Sequence, residues 1–183
     1  MLSASEGLMR RFVLGVFAGL TLIACDSDSP TTPVVQATYW APLRSSNEVP
    51  PNNSEALGQA VFRLNAAGTE LTYDLVSQKI NNIVQAHIHI GPQGANGPIV
   101  QFLYGVVPSG GGPQVDDVVA KGTIDGTGFM NTLAGRPFSD LIAAIEAGNA
   151  YVNVHTNDGV APVTNQPGGI PGGEIRGQLE RLD

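Results

Sequence analysis

The chain of 183 residues holds a single cysteine, Cys25, and only nine lysines and arginines against sixteen aspartates and glutamates. One thiol excludes an internal disulfide, so a folded domain here must be held by packing. Basic residues are few and scattered, with Lys79 and Lys121 standing alone. Phosphate binding needs clustered Lys and Arg, so nucleic acid and anionic lipid headgroups are excluded as expected partners. The one conspicuous apolar run, residues 12–24, has 13 residues, where a membrane-spanning helix takes roughly 20. Catalytic signatures are missing as well: there is no G-x-S-x-G elbow and no P-loop, and "GTIDGTGF" lacks dinucleotide-binding spacing. No catalytic residue is therefore assigned.

What is present begins with a leader. Arg10 and Arg11 precede the apolar run, which ends in small residues before Cys25, the pattern of an export signal. Leu22-Ile23-Ala24-Cys25 resembles the lipobox of bacterial lipoproteins. That resemblance implies a diacylglyceryl group on the Cys25 sulfur and cleavage just before it. Residues 1–24 are thus expected to be a cleaved signal peptide, with Met9 as an alternative start to Met1. Residues 25–36 are expected to form a flexible, proline-containing tether, and residues 37–183 the domain. Two or three acyl chains anchor a protein stably where one does not. The expected location is the bacterial cell envelope, facing periplasm or exterior, with the choice of membrane open.

From residue 37 onward the chain alternates apolar and polar residues with a period of two. "QAVFRLN" puts Ala60, Phe62 and Leu64 on one face, and "ELTYDLV" does the same with Leu71, Tyr73 and Leu75. "NAAGTE" between them is a hairpin turn. "IVQAHIHI", "PIVQFLYG", "DVVAKGTID", "YVNVHT" and "EIRGQLE" are further strands, punctuated by many glycines and prolines. This spacing predicts an all-β antiparallel sandwich of the Ig-like or Greek-key type. One short helix is expected near 139–147, capped by Ser139, buried along Leu141, Ile142 and Ile145, and ended by Gly148.

The residues that bear chemistry lie on these strands. His87 and His89 point to one side of theirs, with Ile88 and Ile90 on the other. Tyr151, Asn153 and His155 likewise oppose Val152 and Val154, and Glu174, Arg176 and Gln178 oppose Ile175 and Leu179. If these three strands are neighbours, His87, His89, His155, Asn153, Glu174 and Arg176 share one face. Three imidazoles suit zinc or copper with a position open for water, and Asn153 or Glu174 can orient a ring. The alternative is a solvated polar face whose side chains only hydrogen-bond, and a one-residue slip in register separates the group. Glu48 in "SNEVPP" and Glu174 are candidate acid–base carboxylates, or else salt-bridge and turn residues. Arg176 is expected to pair with Glu174. The glycines and prolines of "IGPQGANGP" read as a stiffened turn.

"NEVPP" (47–51), "LTYDL" (71–75), "AHIHIGPQGANGPIVQFL" (86–103), "AGNAYVNVHT" (147–156) and "GGEIRGQL" (172–179) together resemble the CHRD domain, named after chordin, over about residues 37–181. The resemblance implies an extracellular or envelope β-sandwich-like domain without established enzymatic activity. Its characteristic positions are His87, His89, Asn153, His155, Glu174, Arg176 and Gln178. One departure is the long connection "NDGVAPVTNQPGGIPGG", long enough to cover or to extend the histidine face. The two-residue histidine spacing with a distant third is also similar to copper/zinc superoxide dismutase, although the remaining zinc ligands and the disulfide are missing. The expectation is a non-enzymatic, lipid-anchored envelope module that binds a protein or cell-surface partner. The alternative is a zinc- or copper-binding envelope protein using His87, His89 and His155.

Overall fold

The computed structural model describes residues 35–110, 112 and 114–182. Cys25, the leader and most of the expected tether lie outside them. Among the described residues nine strands run in chain order: β1 (Val35–Arg44), β2 (Leu57–Asn65), β3 (Leu71–Gln78), β4 (Ile83–Ile90), β5 (Ile99–Gly105), β6 (Val118–Ile124), β7 (Ala150–Thr156), β8 (Ile175–Gln178) and β9 (Glu180–Leu182). Val35 and Gln36, the last two residues of the stretch read as tether, already belong to β1.

Every pairing is antiparallel, as the alternation required. The strands form one sheet in the order β5-β4-β7-β8-β1-β2-β3-β6, with β9 also on β1. The sheet curls until its ends approach, so the sandwich expected from the sequence is closer to a nearly closed barrel. Tyr73 on β3 donates its hydroxyl hydrogen to the Leu103 carbonyl on β5 across the interior, at 2.7 Å.

Register explains the core. Tyr39 pairs with Phe62 and Phe62 with Tyr73, while Ala41, Ala60 and Leu75 form the next row. All of these side chains are buried on the same face. The pairing of β1 with β8 and β9 keeps one register, from Arg44 opposite Arg176 to Trp40 opposite Glu180. On that side the pairing lapses along β1 between Arg44 and Trp40, a stretch that includes Pro42, which has no N–H to give to a neighbouring strand.

The helix α1 (Phe138–Glu146) lies where the sequence put it, one residue earlier. Its N-cap is Pro137, not Ser139, and no side chain caps it. Ser139 therefore sits inside the first turn. Leu141 and Ile145 are buried, Ile142 only partly so. Gly148, at φ 70°, closes the helix with its N–H on the Ile145 carbonyl. Glu146 accepts from the Tyr39 hydroxyl and from Arg181, each at 2.8 Å, which ties α1 to β1 and β9. Burial and the neighbouring Glu146 carboxylate push the Tyr39 hydroxyl up to about 12. Among the described residues no helix is long and apolar enough to cross a membrane.

β7 differs from its neighbours in being buried along its whole length. Ala150, Val152 and Val154 face the core. The opposite face is covered by chain segments instead of water, and that cover makes the site.

Candidate functional site

The order β4-β7-β8 brings the three motif strands side by side. His87 stands opposite Asn153, Gln85 opposite His155, and His89 opposite Tyr151. On the far side of β7, Asn153 faces Arg176 and Tyr151 faces Gln178. One outer face of the sheet thus carries the three histidines, Tyr151, Asn153, Arg176 and Gln178. It is not the solvated face that strand alternation alone suggests. His87, His89, His155, Asn153 and Arg176 are all buried.

Two segments form the cover. The first is the glycine-rich turn 91–98 after β4. Its Gly97 carbonyl lies 2.8 Å from His89 Nδ1. Arg176 holds it down, donating from Nη2 to the carbonyls of Pro92 (3.2 Å) and Ala95 (2.8 Å) and from Nη1 to Asn96 Oδ1 (3.2 Å). The guanidinium also stacks 3.3 Å over the Tyr151 ring, and His89 lies nearly parallel to that ring with centroids 4.7 Å apart. The second segment is the long connection 157–173, whose Pro171 carbonyl lies 2.8 Å from His155 Nδ1.

Arg176 does not pair with Glu174 as the sequence suggested. Glu174 is fully buried and accepts from the Ser54 hydroxyl (2.5 Å), the Thr156 hydroxyl (2.5 Å) and the Gly168 N–H (2.8 Å). Its role is to fasten the 157–173 connection to β7 and to the segment before β2. Gln178 donates to the carbonyls of Gly91 and Gly148. Glu48 follows the short turn at Ser45–Asn47, as a turn residue should, but forms no ion pair within 4.0 Å among the described residues.

The tautomers of two histidines follow from these partners. A carbonyl only accepts, so Nδ1 carries the hydrogen in His89 and His155 and each Nε2 keeps its lone pair. His155 Nε2 lies 3.0 Å from Asn153 Oδ1. The neutral ring is satisfied there only when the Asn153 amide turns its nitrogen toward it. His89 Nε2 has no partner, and His87 has none at either nitrogen. His87 is held edge-on by Phe102 at 4.4 Å and sits 4.8 Å from the His155 ring, centroid to centroid.

Burial lowers all three imidazoles below the ordinary histidine range. For His87 burial and the neighbouring His155 and His89 bring the value to about 3, and burial is also the main cause for His89 and His155. All three rings are neutral at physiological pH, with lone pairs available. The sign for stability follows directly. The unfolded rings titrate near 6.5, above their folded values, so the contribution is full above about pH 6.5. It is lost progressively as pH falls toward about 3, because the unfolded chain takes up protons the folded one refuses. Urea midpoints of metal-free protein are expected to fall across that window, and a His87→Leu variant to show a shallower fall.

Gly97 is the glycine this site cannot replace. A Cβ there would lie 1.7 Å from the Ile90 carbonyl oxygen. Gly97→Ala is expected to push the turn off β4, break the Ile90–Pro98 backbone bond and free His89 Nδ1. The expected cost is about 2–3 kcal/mol in urea denaturation.

Sequence reasoning placed Tyr151 on this face but not its stacking with His89 and Arg176, and it missed the anchoring Asn96 and the carbonyls of Gly97 and Pro171. Two prolines and three glycines in the turn signalled its shape, but nothing in residue types says which carbonyl meets which ring.

An antiparallel, nearly closed all-β domain with a covered cluster of three neutral histidines is the class defined by fold and site together. The chain belongs to the CHRD domain family, whose profile matches residues 39–179. Among curated proteins none matches the chain. Membership suggests a binding module, and the family is not known for enzymatic activity.

Proposed function

We propose that this chain is a binding module whose working site is the three-histidine pocket, and that the pocket takes one zinc or copper ion. The observation that carries the reading is His87, fully buried with both ring nitrogens lacking any partner. A buried polar atom without a partner costs roughly 1–3 kcal/mol, and an ion bound at that ring removes the cost. Ligand nitrogens of His87, His89 and His155 lie within 4.8 Å of one another. An ion about 2.0–2.1 Å from each closes that spacing with small ring movements.

A set of three imidazoles with no thiolate and no carboxylate suits zinc and copper equally and leaves a fourth position for water. The Gly97 and Pro171 carbonyls then fix ring orientation from behind, which is the usual task of groups bonded to the far nitrogen of a metal-bound histidine. Among the described residues no second group of this kind exists.

The same proposal places the domain at the bacterial envelope, held by acyl chains on Cys25. The Arg10–Arg11 pair, the short apolar run and "LIAC" support this. Labelled palmitate is expected in the wild-type chain and not in Cys25→Ala. A protein or cell-surface partner is the further expectation the family supplies.

The test of the metal reading is direct. Full-length chain purified without a histidine tag is expected to carry, or take up in titration, one equivalent of zinc or copper. Protein that arrives metal-free and binds neither ion defeats the proposal.

A further inference from the structure

Two carboxylates are buried among the described residues, Glu48 and Glu174. Glu174 has three donors, whereas Glu48 Oε1 is buried with no hydrogen-bond partner. Gly173 marks where that oxygen points. A Cβ on Gly173 would lie 2.7 Å from Glu48 Oε1 and 2.9 Å from Asn153 Nδ2. Carboxylate and amide thus flank one point that only a glycine leaves open, and at φ 126° the backbone there favours glycine as well. On its other side Asn153 meets His155, with Oδ1 3.0 Å from Nε2, and it stands opposite His87 in the pairing of β4 with β7. A single amide therefore lies between Glu48 and the histidine cluster.

The charges on this covered face do not balance once an ion is there. Three neutral imidazoles bring no negative charge. Arg176 is buried and donates to neutral groups, the Pro92 and Ala95 carbonyls and Asn96 Oδ1. A divalent ion beside it adds two more positive charges away from water, where a charge needs a counter-charge and hydrogen bonds. Glu174 is committed to Ser54, Thr156 and Gly168. Glu48 is the buried carboxylate that remains. Burial, only partly offset by Arg176, raises it to about 7, where a carboxylate short of positive charge sits.

We propose that Glu48 is a positioning residue of the histidine site: its carboxylate balances the charge of the bound ion and sets the Asn153 amide for it. The inference rests on the metal reading above and names the part of the site that no histidine supplies. Without an ion, the Asn153 nitrogen is needed at the lone pair of His155 Nε2. An ion on Nε2 takes that lone pair and releases the amide. The amide nitrogen then donates to Glu48 Oε1, and the oxygen stays on the His155 side, where it accepts from a water on the ion.

The experiment is titration of the full-length chain with zinc chloride and with copper sulfate, comparing the parent with Glu48→Gln and His87→Leu. Urea denaturation of each metal-free protein runs alongside. Glu48→Gln keeps the shape and an acceptor for Asn153 and removes the charge. It is expected to bind the ion about tenfold or more weakly, with a metal-free fold no less stable than the parent's, because a buried unpaired carboxylate is gone. Affinity equal to the parent's in Glu48→Gln, with binding lost in His87→Leu, overturns the role of Glu48 and leaves the metal site standing. A fall in affinity matched by a fall in metal-free stability marks a merely structural side chain and overturns it too. A parent that binds neither ion, or His87→Leu binding as the parent does, defeats the metal reading and this inference with it. Should Glu48→Gln fail to fold, a structure of the ion-loaded parent decides. Glu48 Oε1 in hydrogen-bond contact with the Asn153 amide is expected there, and its absence overturns the proposal.

Discussion

Replacing His87 by leucine is expected to abolish zinc and copper uptake while leaving the metal-free fold within about 1 kcal/mol of the parent. His87 makes no hydrogen bond inside the protein, so its removal strands nothing. Leucine is close to the ring in volume, and the Phe102 edge against which it packs is apolar. The contrast is His155→Leu, which leaves the half-buried Pro171 carbonyl and the buried Asn153 amide without their partner. That change is expected to cost about 1–3 kcal/mol even without metal. With zinc at a hundred times its dissociation constant the parent gains about 2.7 kcal/mol, and neither variant gains anything. Calorimetric melting with and without zinc, alongside metal content, separates the outcomes. If the rings serve only as a hydrogen-bond network, His87→Leu melts no differently from the parent in zinc, because the parent does not shift either.

The largest loss of stability is expected at Glu174. Its carboxylate accepts three hydrogen bonds from three separate segments, all out of contact with water. Glu174→Ala strands the Ser54 and Thr156 hydroxyls and the Gly168 N–H and opens a void. Hydrogen bonds to a charged group contribute about 1.5–3 kcal/mol each and are not additive, so a total cost of about 3–5 kcal/mol is expected. Glu174→Gln is milder but not neutral, since its NH2 group must then meet one of three donors. Urea denaturation measures the loss. Faster proteolysis between residues 157 and 173 would show where it falls. Because that segment also carries Pro171, zinc affinity should drop in the same variant. Unchanged stability would mean that Glu174 does not fasten the connection.

Much of this was legible in the sequence where burial is one-sided. β2 and β3 alternate, and their inward residues Ala60, Phe62, Leu64, Leu71, Tyr73 and Leu75 are the ones the period marks. That His87 and His89 share one side of their strand, and Asn153 and His155 one side of theirs, was equally readable from the period of two. Three things were not. β1 carries Pro42 within it, and the strand is acceptable because its pairing with β8 and β9 lapses between Arg44 and Trp40. The neighbour order β4-β7-β8 comes from pairings between residues far apart in the chain, which no local pattern encodes. The burial of the histidine face depends on the backbone carbonyls of Gly97 and Pro171, and backbone atoms have no signature in residue type. The expected Arg176–Glu174 pair failed for the same reason. Each side chain found partners on a covering segment instead of on its own strand.

That cover sets a clock. The Gly97 carbonyl closes the pocket from the 91–98 turn, and the Pro171 carbonyl closes it from the 157–173 connection, each bonded to a ligand ring. An ion bound there as proposed could not leave by a side-chain rotation, because both flanks are stitched to the rings that would hold it. Exchange must wait for one flank to peel away, an opening whose frequency is set by the Arg176 and Glu174 anchors. On the proposed metal reading the site would retain its ion rather than hand it on. A chelator stronger than the site should strip the ion at a rate that is independent of chelator concentration and that quickens when either anchor is removed.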